Sequence, residues 1–333
     1  MNTTKNYCKS LNKNFENILL PTLYILVLIV GLVANGWGLK SLLHNWKKLG
    51  DINIFLLNLG LADILYLLNL PLLIVYYLKK KTWIFGETLC KLTRFCFNLN
   101  LYCSIGFLTC ISVYRYLAIV HPMKSKGRLT ANRSMGISAI VWILVSVQSL
   151  PDMFFPKKYF DDQCFDTTTN DYMKGYLDYT IIFTFFGFCI PFLITVWSYG
   201  HVTYVVCSSK TIDKNVKRRS LKLLAVLILL FLICYVPYHI FKNLNLYLRL
   251  LNWQKKCSSW EEGIFRARQV TRGLVSLNSA LNPLVYLYVN EVMQLLQRGR
   301  QMFRCLSPAS CRSMPVSQTE KEEEMAMSSA NIL

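Results

Sequence analysis

The sequence predicts an all-α membrane protein: a seven-transmembrane helix bundle with a short amphipathic eighth helix. Three observations carry that prediction. Of the 333 residues, 53% are hydrophobic, more than an ordinary soluble domain holds. Seven apolar stretches, near 20–43, 54–78, 92–120, 135–155, 176–206, 221–248 and 268–289, are each long enough to cross roughly 30 Å of hydrocarbon as a helix. Each is broken by only a few polar residues, and the connections are short except around 156–174.

The domain organisation follows from these stretches. Residues 1–19 are the expected extracellular amino terminus; 1–17 are polar and hold no apolar signal-peptide core, so the first span is expected to act as an uncleaved targeting signal. The bundle occupies 20–289, and an arginine-containing amphipathic helix is expected over 290–306. The segment 307–333 is rich in Ser, Met and Glu without periodicity, which predicts a disordered, phosphorylatable tail. No repeat of fixed period is present.

Thirty-seven Lys and Arg against eighteen Asp and Glu give a net charge of +19, which calls for anionic partners: membrane lipid head groups or an anionic ligand. No nucleic-acid partner is expected, because the basic residues sit in short clusters between apolar runs. Those clusters nearly balance across the membrane, so the cysteines orient the chain. Cys8, Cys90, Cys164 and Cys257 all fall on the amino-terminal side, where an oxidising compartment can pair them. Asn2, in Asn2-Thr3-Thr4, is a glycosylation acceptor on the same side. A plasma-membrane protein with its amino terminus outside is the expectation.

Polar groups inside the spans must pair within the bundle. Asn35, Asp63, Asn278 and Asn282 are expected to meet near its inner half, as a structural network, a sodium site at Asp63 or a switch. Pro71, Pro151, Pro191, Pro237 and Pro283 each remove a backbone hydrogen bond and permit a kink.

Helical spacing then sorts the remaining polar residues into rows. Arg94, Asn98 and Tyr102 form one on the third span, His239, Lys242 and Asn245 one on the sixth, and Gln269, Arg272 and Ser276 one on the seventh. Lys242 lies outward of Pro237 by roughly 8 Å, and Arg272 outward of Pro283 by roughly 16 Å, at the helical rise per residue. Three cations are thus expected to converge in the outer third. The alternative is that they snorkel to the head groups or pair with acids such as Asp166 and Glu262. Arginine forks suit phosphate oxygens, and Phe97, Tyr102, Tyr238 and Tyr247 offer stacking surface that a nucleobase can use. His239 either donates to a ligand or packs. No zinc spacing, glycine-rich phosphate loop or nucleophile–base pair stands out, so neither a cofactor nor an enzyme is expected.

A set of motifs in order carries a family resemblance: "GLVAN" ending at Asn35, "NLGLAD" ending at Asp63, Cys90 opening the third span, "SVYRY" around Arg115, Trp142, Pro191, "CYVP" ending at Pro237, and "NPLVY" from Asn282 to Tyr286. Together they resemble the rhodopsin-like G-protein-coupled receptors. The stretches Trp83–Tyr116, Cys164–Tyr172, Tyr235–Leu250 and Gln269–Pro283 are similar to the metabotropic purinergic receptors, nearest the ADP- and ATP-responsive, Gq-coupled branch.

The resemblance implies an extracellular nucleotide as ligand, a heterotrimeric G protein, mainly Gq with phospholipase C and calcium release, and receptor kinases and arrestin. It implies a ligand set of Arg94, Asn98, Tyr102, Asp166, Tyr238, His239, Lys242, Asn245, Gln269, Arg272 and Ser276. It also implies a switch comprising Asp63, Arg115, Tyr116, Tyr235, Pro237, Asn282, Pro283 and Tyr286. Four outer cysteines permit three pairings, and Cys90–Cys164 with Cys8–Cys257 is the expected one. Cys305 and Cys311 are juxtamembrane palmitoylation candidates. The pattern departs from the family where Tyr114 replaces the usual acidic neighbour of Arg115 and where Lys217 stands in place of a restraining acid. Both departures imply raised basal activity. The competing readings are a receptor for another anion, such as a carboxylate metabolite, nucleotide sugar or lysophospholipid, and a membrane transporter, whose inverted repeats the odd span count disfavours.

Overall fold

In lipid every backbone amide must be satisfied within the chain, and a long apolar segment does that as a helix. The computed structural model describes residues 14–44, 52–121, 130–156, 163–164, 167–208, 214–256 and 258–305, with backbone alone for 286–305 and for several positions in 214–224. Among the described residues there is no β-strand. The helices are α1 (Asn14–His44), α2 (Ile52–Leu78), α3 (Gly86–Val120) and α4 (Ala131–Ser149), the last followed by a short turn, Pro151–Phe154. Then come α5 (Met173–Thr184 and Ile190–Ser208), α6 (Lys214–Leu230 and Val236–Trp253) and α7 (Glu261–Cys305).

The split in α5 and in α6 is a widened π-helical turn, Phe185–Cys189 and Phe231–Tyr235. Each ends two residues before a proline, Pro191 or Pro237. A proline ring collides with the carbonyl four residues back and offers it no N–H, and a turn with one extra residue makes the room. Pro71 and Pro283 lie inside unbroken helices. Pro151 instead starts the short turn after α4, where its missing N–H is not needed.

α3 is the hub, packed against α2, α4 and α5, while α1 bridges α2 and α7, and α6 packs on α7. Outward-facing side chains such as Val33, Leu68, Val147, Leu193 and Ile240 are exposed, the apolar belt expected against hydrocarbon. Six described helices are long and apolar enough to cross a membrane. α7 carries Arg266, Arg268 and Arg272 in its first turns, and Asn278, Ser279 and Asn282 further on, which makes it less apolar than the others.

Near the carboxyl end the backbone is helical through 290–305, the stretch expected to form the eighth helix.

Of three apolar clusters among the described residues, two frame the site, and the third joins Met173, Tyr176 and Leu177 to Leu246. The largest runs through the middle of α2, α3, α5 and α6, with Leu59, Phe107, Ile111, Tyr199 and Phe231. The second sits at the face from which α1 starts and joins Tyr24, Tyr66, Tyr76, Tyr77 and Trp83 to Cys90 and Cys164. This second cluster floors and walls the candidate site.

Candidate functional site

The site begins with a covalent tie. Cys90, at the start of α3, is bonded to Cys164, with Cα atoms 5.8 Å apart, so the chain before α5 is drawn over α3. One turn along α3, Arg94 donates through Nη2 to the Cys164 carbonyl at 2.8 Å. Its guanidinium also sits 6.0 Å from the centre of the Tyr76 ring. The next residue of α2 holds the second cation: Arg272 donates from Nη1 to the Tyr77 hydroxyl at 3.1 Å and lies 6.0 Å from that ring's centre. Lys242 places its ammonium 5.7 Å from the Tyr238 ring centre, one turn back on α6.

α2 can present Tyr76 and Tyr77 there because its last turn is firmly closed. The Lys80 and Lys81 N–H groups donate to the Tyr77 and Tyr76 carbonyls at 3.1 and 2.9 Å. Both lysines take a left-handed backbone, with φ of 52° and 69°, and Lys81 forms an ion pair with Glu16 of α1.

Arg94, Phe97, Asn98, Tyr238, Lys242 and Arg272 line one cavity of about 280 Å³, counting the space open at its mouth. Each of the three cations is 4% exposed. All three are buried within the bundle. The floor is aromatic, with Phe97 edge-on to Tyr66 and Tyr238 at 5.8 and 6.0 Å. Ser276 shares a 2.7 Å hydrogen bond with the Tyr66 hydroxyl, and its hydroxyl lies 3.0 Å from the Arg272 carbonyl that accepts from it.

The rows do not all converge. Tyr102 is stacked on Phe183 at 4.0 Å, beneath the cavity, with Gly187 so close that a methyl group there would lie 2.7 Å from its ring. His239 stacks on Phe188 at 4.3 Å, and neither ring nitrogen has a hydrogen-bond partner among the described residues. Asn245 accepts from Arg268 at 3.3 Å, and Gln269 is buried beside it in sequence without lining the cavity. Tyr247 is half-exposed, and Glu262 pairs with Arg266 on the surface at 2.6 Å instead of with a cavity cation. Asp166, Cys8, Cys257, Asn2 and Cys311 lie outside the described residues, as do the side chains of Cys305, Tyr286 and Lys217.

Deeper in the bundle the Asp63 carboxylate accepts from Asn282 at 3.0 and 2.9 Å and from Asn100 at 3.1 Å. Ser279 donates to Asn100 at 3.2 Å, and Asn35 donates to the Ser279 carbonyl at 2.8 Å. Asn278 takes no part in these bonds; Asn100 and Ser279 stand in its place. At the opposite face, Arg115 is 4% exposed, and its Nε and Nη2 lack a hydrogen-bond partner among the described residues. Tyr114 meets Phe55 edge-on at 6.3 Å. Tyr116 lies against Trp197 at 4.9 Å, with its hydroxyl 3.2 Å from His121 Nε2. Tyr235 is fully buried at the end of the α6 π turn, two residues before Pro237.

Sequence reasoning missed Tyr66, Tyr76, Tyr77, Asn100, Arg249 and Ser279. Arg249 ties α6 to the segment before α5, donating to Thr167 at 2.7 Å and to Asn170 at 3.1 Å. An arginine seven residues beyond Lys242 on the same face was the available signal.

Residues 35–286 match the family described as "7 transmembrane receptor (rhodopsin family)". The chain is 37% identical over 325 residues to purinoceptor 1 of Gallus gallus, covering 96% of this chain and 88% of that protein. It is 35% identical over 320 residues to purinoceptor 1 of Homo sapiens, covering 95% and 84%. To purinoceptor 4 of Xenopus laevis it is 36% identical over 298 residues, covering 87% and 55%.

Proposed function

Because the chain belongs to the rhodopsin family of seven-transmembrane receptors, in its purinoceptor branch, we propose that it is a plasma-membrane receptor for an extracellular nucleotide of the ADP or ATP type. The observation that carries this is the convergence of Arg94, Lys242 and Arg272, from three helices, on one cavity with an aromatic floor. Three cationic side chains gathered on one cavity wall complement a polyanion electrostatically. Arginine forks meet phosphate oxygens in pairs, and Lys242 adds a point charge. Phe97 and Tyr238 offer ring faces and edges for a base, a surface that a small dicarboxylate does not need.

The amino terminus is taken to be outside, so that the cavity opens to the extracellular medium and α3 and α6 present Arg115 to a heterotrimeric G protein. Gq, phospholipase C and calcium release form the proposed output, with receptor kinases and arrestin acting on the tail. Asp166 remains a proposed partner of Arg272, Asn2 a glycosylation site, and Cys305 and Cys311 palmitoylation sites. Cys8–Cys257 is the proposed second disulfide; a free Cys8 thiol in intact peptide mapping would reject it.

The test is calcium release in transfected cells challenged with a panel of nucleotides, dicarboxylates and lysophospholipids. The expected result is a response to adenine nucleotides at the lowest concentrations. A response confined to a dicarboxylate or a lysolipid overturns the nucleotide reading and leaves the receptor family untouched.

A further inference from the structure

The first turn of α1 buries an acid. Glu16 is 5% exposed, and its carboxylate forms an ion pair with the ammonium of Lys81, just past the end of α2. Glu16, Leu20 and Tyr24 recur every four residues and all are buried, so they share the face that α1 lays on α2. Further along that face the Tyr24 ring lies 5.9 Å from the ring of Tyr77.

Lys81 is an uncommon residue for its backbone. Its φ of 69° is in the left-handed region, as is the 52° of Lys80, and glycine or asparagine takes that conformation at less cost. The turn itself therefore does not call for lysine at 81; the carboxylate of Glu16 does. The same residue closes α2, because its N–H donates to the Tyr76 carbonyl at 2.9 Å, beside the bond from Lys80 N–H to the Tyr77 carbonyl at 3.1 Å. Helix ends without such ties fray. Holding Lys81 against α1 keeps the last turn of α2 wound, and that turn carries both rings that support cavity cations. Tyr76 meets the Trp83 ring at 5.7 Å and the Arg94 guanidinium at 6.0 Å, while the Tyr77 hydroxyl accepts from Arg272 at 3.1 Å.

We propose that Glu16, acting through Lys81, is a positioning residue of the anion cavity: the ion pair clasps α1 to the end of α2 and so fixes the Tyr76–Tyr77 corner that aims Arg94 and Arg272. This rests on the nucleotide reading above and adds to it a control of affinity from α1, which contributes no described residue to the cavity wall. Removing either partner leaves a buried charge uncompensated, and the α2 end must rearrange to hydrate it. Both guanidinium groups then lose a fixed support.

The experiment measures ADP concentration–response curves for calcium release, with surface receptor quantified, for wild type, Glu16→Gln, Lys81→Gly, Glu16→Lys, Lys81→Glu and the exchanged pair Glu16→Lys with Lys81→Glu. Lys81→Gly suits the left-handed backbone better than lysine, so it removes the ammonium without harming the turn. Each single variant is expected to weaken ADP by about three- to thirtyfold at equal surface expression, the range of residues that act on a site without touching its ligand. The exchanged pair returns potency to within about threefold of wild type, since the attraction is restored with its signs reversed. In a Tyr77→Phe background Glu16→Gln costs less than it does alone, because part of the route to Arg272 is already gone. Fewer receptors at the surface with unchanged potency would mean that the pair only fastens α1, and the proposal falls. It falls equally if the exchanged pair stays as weak as its singles, or if the losses from Glu16→Gln and Tyr77→Phe simply add. In each of those cases wild type still responds to ADP and the nucleotide reading stands; silence of wild type toward ADP and ATP overturns both.

Discussion

Arg272 on α7 donates a hydrogen bond to the hydroxyl of Tyr77 at the end of α2, across 195 residues of sequence and 3.1 Å of space. A guanidinium this deep in an apolar span is tolerable because its neighbours hold it. The ring beneath and the hydroxyl beside it fix the fork toward the cavity.

That relationship separates two variants. Arg272→Ala is expected to cost nucleotide potency about 2–4 kcal/mol, because one partner of a desolvated charge pair is removed. Arg272→Lys recovers only part, since the charge returns without the fork. Tyr77→Phe keeps the ring and loses the hydrogen bond, for a smaller loss of about 1 kcal/mol. Nucleotide dose–response with surface receptor counted in parallel measures all three. Wild-type potency in Arg272→Ala sinks the phosphate-binding role.

Breaking the tie over α3 is expected to act on stability and on binding together. Cys164→Ser opens a loop of 74 residues, which costs about 4.5 kcal/mol in the chain-entropy account. It also frees the carbonyl that anchors Arg94. The melting point of solubilised receptor and the nucleotide potency should both fall. A lower melting point with unchanged potency would show that Arg94 needs no such anchor.

Arg115 invites a carboxylate. Its Nε and Nη2 lack partners among the described residues, and the preceding residue is Tyr114 instead of an acid. Tyr114→Asp adds a charge-assisted restraint of about 1–3 kcal/mol on the inactive packing and should lower ligand-free inositol phosphate production. No change at equal surface expression defeats the restraint argument.

Gly187 lets Tyr102 lie flat on Phe183. Gly187→Ala brings a methyl group to 2.7 Å from the ring and forces it to move, an overpacking cost of about 1–3 kcal/mol. The thermal midpoint of solubilised receptor should drop. A variant as stable as wild type means that the ring has somewhere else to go.

The sequence made the crossings legible because hydrocarbon admits few structures, and it made the cation rows legible because prolines mark depth and the helical period marks direction. Arg94, Lys242 and Arg272 came together for that reason. Tyr102 sits on the same face of α3 as Arg94, yet Phe183 and Gly187 draw it below the cavity, a consequence of how α5 packs and not of α3's own pattern. Asn278 and Ser279 are adjacent, and only the angle at which α7 meets α2 and α3 decides which of them faces Asp63. Tyr76 and Tyr77, next to three lysines at a span's end, read as an aromatic belt at the membrane surface; nothing local distinguishes them from the supports they are.

The π turn before Pro237 has an evolutionary corollary. Such a turn amounts to one residue inserted into an α-helix, and each residue of α-helix advances the azimuth by roughly 100°. Deleting a single residue from Phe231–Tyr235 would restore regular pitch while rotating everything beyond it, Lys242 and Asn245 included, by that angle. The charge would then swing off the cavity wall although every side chain was still encoded. Single-residue indels in this segment should therefore be tolerated far less than substitutions within it, an asymmetry that deep mutational scanning with paired deletions can read directly.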